Sequence, residues 1–152
     1  VGLVTGTCFA ESGNHVTLVD IDQSKIERLT EGIIPIYEPG LKELVLRNAK
    51  AGRLEFTTDT ATAVRNASIV YLAIGTPQGS DGSANLSALW SVVDSIAPHI
   101  HDDVIIVTKS TVPVGTTETL RQLISSSTEE PFTIACNNTT GSFIIFVRAS
   151  AS

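Results

Sequence analysis

Two uninterrupted apolar runs, SIVYLAIG (residues 68–75) and DVIIVTKST (residues 103–111), constrain the fold of this chain more than any other feature. A strand that faces water on one side alternates apolar and polar residues, whereas a run that is apolar throughout has to be covered on both faces. Helical patterns flank both runs, so each strand is predicted to lie in a parallel sheet with helices above and below it.

The rest of the chain repeats that alternation. HVTLVDI (residues 15–21), LEFT (54–57) and PFTIACN (131–137) read as further strands, and GTCFAESG as a helix ahead of the first of them. Asp22 is placed to cap a helix through SKIERLTEG, with Gly32 at its C′ stop, and Asp59 to cap TATAVRNA. IIPIYEPG carries two prolines and reads as a loop before the helical LKELVLRNAKAG. The polar TPQGSDGSANLS loop leads to a helix around ALWSVVDSIAPHI, and VPVGTT turns the chain into TETLRQLISS. The expected class is α/β, a Rossmann-like doubly wound parallel sheet.

Composition narrows the function. The chain has 152 residues, 42% of them hydrophobic, which suits one domain with a core of its own. Its net charge is −6 with no basic stripe, which argues against nucleic acid as a partner. The apolar runs fall well short of a membrane span, and no signal-peptide pattern opens the chain. Cys8 and Cys136 form neither a disulfide framework nor a metal-binding spacing. A reducing, cytoplasmic setting is expected. His15, His99 and His101 show no triad or metal pattern, so neither catalytic nor metal-binding residues are assigned.

A cofactor role enters through Gly2 and Asp20. In a dinucleotide fold the last fingerprint glycine packs its helix tightly on the strand, and an acid about 20 residues on accepts the adenosine ribose hydroxyls. A carboxylate there repels a 2′-phosphate, favouring NAD over NADP. Gly2 can equally be an ordinary helix-start glycine and Asp20 a capping acid, although Asp22 is better placed to cap. Thr76 and Thr111 follow strand ends in AIGTP and TKSTVP, on the rim where ligands of open α/β sheets bind. Strand-terminating turn chemistry accounts for them too.

Four linked motifs, VGLVTGTCFAESGNHVTLVDIDQSKI, GIIPIYEPGL, AIGTPQGSDGSANLSAL and VTKSTVPVGT, resemble the N-terminal NAD-binding domain of the UDP-glucose 6-dehydrogenases, in the UDP-glucose/GDP-mannose dehydrogenase family. The resemblance runs from Val1 to about Ala135. It implies an enzyme that oxidises the C6 alcohol of UDP-glucose to a carboxylate by two hydride transfers to NAD. It also implies a homo-oligomer, with a nucleophilic cysteine in a later domain. Carried over by position, Val1 and Gly2 match the end of the glycine loop and Asp20 the ribose-binding acid. Lys25 matches a lysine at the adenosine end, although a lysine so placed on a helix commonly faces solvent. Thr76 and Thr111 match the strand-end threonines of the cofactor site.

The chain also departs from that pattern. It opens where the glycine loop ends, so the central strand of the 3-2-1-4-5-6 order is expected to be missing. Its neighbours would then face each other across roughly twice the usual 4.8 Å spacing. Each buried unpaired amide or carbonyl would cost on the order of 1–3 kcal/mol, leaving the chain marginal or unfolded. After FTIAC the sequence turns to NNTTGSFIIFVRASAS, unlike the family, and SFIIFV reads as an exposed sticky segment rather than an edge strand. The expected organisation is a partial NAD-binding domain over residues 1–136 and a divergent tail over 137–152. Cys8 reads as a buried structural thiol. The leading reading is a truncated piece of a UDP-glucose 6-dehydrogenase retaining part of its NAD site. The alternative is a non-catalytic NAD-binding module or an inert gene fragment.

Overall fold

The computed structural model describes residues 2–78, 82–101, 103–110, 112–136 and 143–148. Its six strands are β1 (His15–Val19), β2 (Leu54–Thr57), β3 (Ile69–Ala73), β4 (Val104–Thr108), β5 (Phe132–Cys136) and β6 (Phe143–Arg148). They form one sheet in the order β2-β1-β6-β3-β4-β5. β1 pairs parallel with β2, and β3, β4 and β5 pair parallel in turn.

The central position is not empty. β6 enters it antiparallel, with five residue pairs to β1 on one side and five to β3 on the other. One continuous row runs Glu55, Thr17, Phe146, Val70, Ile106, Ile134 across the whole sheet. The expected gap and the expected exposed tail are therefore both corrected by one element. FIIFVR has the same composition as the other doubly covered strands, apolar at successive positions, and it satisfies the backbone of β1 and β3 that would otherwise stand unpaired. Ile144, Ile145, Phe146 and Val147 are all buried. Fully burying side chains of this size contributes about 1.5–3 kcal/mol each.

Helices cover both faces. α1 (Gly2–Glu11), α2 (Gln23–Thr30) and α3 (Leu41–Lys50) lie on one side, where Leu3, Leu29 and Val45 pack with Leu18, Ile145 and Val147. α4 (Thr60–Arg65), α5 (Ser87–Ile96) and α6 (Thr116–Ser125) lie on the other, where Val64, Val93 and Ile124 pack with Val70, Ile144 and Phe146. The alternation along β6, with 144 and 146 on one face and 145 and 147 on the other, is what a strand between two helical layers requires.

Local chemistry sets the helix ends where the sequence places them. Asp22 accepts the Lys25 amide at 3.2 Å and the Ser24 hydroxyl at 2.7 Å, and Asp59 accepts the Thr62 amide at 3.0 Å. Gly32, at φ +78°, closes α2 with its amide on Leu29 O and the Ile33 amide on Arg28 O, the paired bonds of a Schellman stop. One expectation fails on α1. Its buried residues are Gly2, Leu3, Gly6, Thr7 and Ala10, which turns Cys8 to the opposite side, and the thiol is exposed.

Two outcomes are expected. Ile145→Ala, at a fully buried position paired with Leu18 and Tyr71, lowers unfolding stability by about 2–5 kcal/mol in urea titration; a peripheral tail would show no change. The carboxyls of Asp22 and Asp59 are held below their ordinary 3.8, chiefly by hydrogen bonds from Ser24 and Thr62 respectively. A depressed carboxyl stabilises the fold above its unfolded value and loses that contribution as pH falls through the folded one. Stability therefore declines below about pH 4, and an Asp22→Asn, Asp59→Asn double variant shows a shallower decline in pH-dependent thermal unfolding.

Candidate functional site

The parallel strands β1 and β3 end on the same rim, and there a cleft of 490 Å³ opens between the sheet and the layer of α4 and α5. Val19, Asp20 and Ile21 form one wall, and Ile74 and Gly75 form the other. Thr60 of α4 and Ala88, Ser91, Val92 and Ser95 of α5 close its outer side, and Ile144 lies at its floor. The volume falls within the range of small-molecule sites.

Asp20 is held at this rim by three contacts. Its amide continues the β1 ladder to Thr57 O at 3.3 Å, and one carboxylate oxygen accepts the Asp22 amide at 3.1 Å. The other oxygen pairs with the Lys25 ammonium, which reaches back from the first turn of α2. The Asp20 side chain is 13% exposed and that of Lys25 26%, so Lys25 is turned onto the acid rather than out to water. A carboxylate oxygen has two lone-pair positions, so both oxygens keep the capacity to accept a diol. Asp20 is the one ionisable side chain among the lining residues.

Gly2 is buried at the start of α1, but the tight helix-on-strand contact falls one turn later. A Cβ on Gly6 would meet Leu18 Cδ2 at 2.8 Å and Cγ at 3.2 Å, so α1 lies as close to β1 as a glycine permits. At the other end of the helix, Ala10 O accepts Arg53 Nε, beside the start of β2. α1 thus runs antiparallel to β1. Its first residue, about 6 Å before Gly6, stands level with the rim. The importance of Gly6 is not visible in the sequence, because it depends on Leu18 twelve residues away.

Ser110 is a second residue whose role the sequence leaves unmarked. Fully buried, it sits between the ends of β3 and β4. Its hydroxyl accepts the Ile74 amide at 3.1 Å and lies 2.7 Å from Ile74 O and 3.2 Å from Leu72 O. Beyond the last rung of β3, this one side chain holds the segment that forms a wall of the cleft. Thr76 follows Gly75 on that rim and is half-buried. Val1 and Thr111 lie outside the described residues.

The remaining reactive side chains lie elsewhere. His15 begins β1 and His99 and His101 precede β4, at the end of the sheet opposite Asp20. Cys136 ends β5 on the edge strand, exposed, with the hydroxyls of Thr108 and Thr117 at 2.8 and 2.6 Å from its sulfur. Among the described residues no group of three or more His, Cys, Asp and Glu side chains gathers as a metal site would require.

Ser110→Ala is expected to leave the Ile74 amide without its partner and to lower stability by about 1–3 kcal/mol, the usual cost of a buried unsatisfied donor. Amide hydrogen exchange at Ile74 and Gly75 should accelerate more than at Val70. Equal acceleration along all of β3 would show that Ser110 serves the sheet and not the rim.

Comparison with known proteins identifies the family. Residues 1–139 match the model of the UDP-glucose/GDP-mannose dehydrogenase family, NAD binding domain. The UDP-glucose 6-dehydrogenase YwqF of Bacillus subtilis is 47% identical over 135 residues, covering 89% of this chain and 31% of that protein. The UDP-glucose 6-dehydrogenase of Pseudomonas aeruginosa is 45% identical, covering 82% of this chain and 27% of that protein. The chain therefore spans less than a third of the length of these curated relatives. Among solved structures, a UDP-glucose dehydrogenase from Pyrobaculum islandicum aligns at a TM-score of 0.84 with 34% identity, over 93% of this chain and 34% of that one. GDP-mannose dehydrogenase from Pseudomonas aeruginosa aligns at 0.85 with 30% identity, over 91% of this chain and 34% of that one. A cleft at the carboxyl ends of parallel strands, with an acid at the end of β1, has the form of a ligand site in an open α/β sheet, and this chain belongs to the UDP-glucose/GDP-mannose dehydrogenase family through its NAD-binding domain.

Proposed function

We propose that this chain is the nucleotide-binding portion of a UDP-glucose 6-dehydrogenase and that Asp20, Lys25, Gly2 and Thr76, with Val1 and Thr111, serve its NAD site. The observation that carries the reading is the Asp20 carboxylate, positioned on the rim of the cleft by the Asp22 amide and Lys25. A nucleoside seated there would set its ribose diol against Asp20 and its base against the apolar side chains of Ile21 and Ile74. A 2′-phosphate in the same place would meet a carboxylate, which supports NAD over NADP. Bound NAD supplies a hydride acceptor, and the chain's own residues bind and orient its adenosine end.

The lining of the cleft supports a binding role for these residues rather than a catalytic one. Its hydroxyls, Thr60, Ser91 and Ser95, have no general base among the lining residues beside Asp20, whose second oxygen is already paired with Lys25. In the whole protein the reading implies UDP-glucose as substrate, oxidised at C6 to the carboxylate, and a homo-oligomeric assembly. The high identity to UDP-glucose 6-dehydrogenases supports that substrate over the related nucleotide sugars. A cytoplasmic setting is supported by the free thiols of Cys8 and Cys136. Among the described residues no helix is long and apolar enough to cross a membrane.

Asp20→Asn tests the reading. Removing the charge from a hydrogen-bonding acceptor costs about 1.5–3 kcal/mol, so NAD affinity should fall roughly 10- to 100-fold by calorimetry. NADP, which gains by losing the repulsive carboxylate, should fall less or improve. Unchanged NAD affinity in a folded variant would sink the assignment of Asp20.

A further inference from the structure

We propose that the cleft selects a 6-aminopurine, and that Ser91 and Ser95 of α5 are the residues that distinguish adenine from a 6-oxopurine such as hypoxanthine. The inference rests on the NAD reading above and assigns the base specificity of the same cleft.

Ser91 and Ser95 stand one turn apart on the same face of α5, and both line the cleft. A serine hydroxyl has one hydrogen to donate and two lone pairs that accept. Both hydrogens are committed within the helix: Ser91 Oγ donates to Ser87 O at 3.0 Å, and Ser95 Oγ donates to Val92 O at 2.7 Å. A carbonyl oxygen can only accept, so the direction of these bonds is fixed. What each serine has left for the cleft is lone pairs. Asp20, on the sheet side, is an acceptor as well, and its carboxylate already receives the Asp22 amide and the Lys25 ammonium. Asp20, Ser91 and Ser95 therefore all call for donors from whatever fills the space between them.

A nucleoside supplies donors at both places. Its ribose diol gives hydroxyl hydrogens to Asp20. With the ribose set there and the base between Ile21 and Ile74, the purine extends from the sheet toward α5 and carries its C6 edge to the serines. Adenine has an amino group at that edge, and its N–H bonds meet the free lone pairs. Hypoxanthine has a carbonyl oxygen there, so lone pairs would face lone pairs. To give that oxygen a hydrogen, a serine would have to withdraw its own from the helix carbonyl, exchanging one bond for another without net gain. Val92 and Ile144 beside them offer only hydrocarbon side chains, and a polar atom set there without a partner is disfavoured. A site that accepts from a ligand N–H discriminates against the analogue that lacks it.

The test titrates the unmodified chain with NAD and with nicotinamide hypoxanthine dinucleotide, which carry an amino and an oxo group respectively at purine C6. NAD is expected to bind about three- to tenfold more tightly by calorimetry. In a Ser91→Ala, Ser95→Ala double variant the two should bind within about twofold of each other. Alanine is a better helix former than serine, so the variant keeps α5. A ratio under about threefold in the unmodified chain, or a ratio that the double variant keeps, would overturn the inference and leave the NAD reading standing. Failure of both dinucleotides to bind would overturn both. Asp20→Asn adds a second readout, because it should weaken the two dinucleotides alike and leave their ratio as it is. A ratio lost with Asp20 would place the discrimination at the ribose and overturn the assignment to α5.

Discussion

Everything in this fold depends on the two hydrogen-bonded ladders that β6 makes with β1 and β3. Without them the sheet is two separate parallel pieces, one of two strands and one of three, whose facing edges stand about 10 Å apart. With them the two helical layers share one sheet, because Ile145 and Val147 complete the core under α1 and α3 while Ile144 and Phe146 complete it under α4 and α5. The cleft depends on the same contact. Its walls belong to the two pieces, Asp20 to one and Gly75 to the other, and β6 sets the distance between them.

Around that junction the rim is kept in shape by side-chain bonds to backbone. Asp20 is fixed to the turn that follows β1 through the Asp22 amide, and Lys25 locks the carboxylate from the next helix. On the other wall Ser110 secures Ile74 after the ladder of β3 has ended. The Lys25 and Ser110 contacts are partly or wholly buried polar contacts at the places where regular structure stops, and there a missing partner is most costly. The cleft is thus braced where the sheet ends, and Asp20, Ile74 and Gly75 stand at strand termini rather than on the longer loops.

Much of this was legible in the residues themselves. Asp22 and Asp59 cap the helices that follow them, and Gly32 stops α2, because capping and left-handed closure are decided within four or five residues. β3 and β4 were readable because a run apolar at successive positions has to lie under two layers, and β1, β2 and β5 because they alternate with helical patterns along the chain. Three features were not legible, and all three turn on partners remote in sequence. Cys8 sits in an apolar helix, but which face is buried is decided by the packing of Gly6 on Leu18. Ser110 looks like the end of a strand until Ile74 is brought beside it. FIIFVR carries the pattern of a buried strand, yet nothing near it in the chain reveals that the vacant partners are β1 and β3.

The case of β6 separates two properties that usually travel together in a doubly wound sheet. A strand edge offers alternating amides and carbonyls, and an antiparallel neighbour satisfies them at least as well as a parallel one. Core packing is equally indifferent, because side chains alternate between the faces whichever way the strand runs. Stability therefore accepts either direction. A ligand at the rim meets the direction of the strand, because β6 presents its first residue, Phe143, beside Ala73, where a parallel strand would present its last. The Asp20 wall belongs to β1 and is unaffected by that choice. The backbone of the sheet and the wall that carries Asp20 are thus independent of the direction of β6, and the family likeness in sequence and in backbone holds with an antiparallel strand at the centre of the sheet.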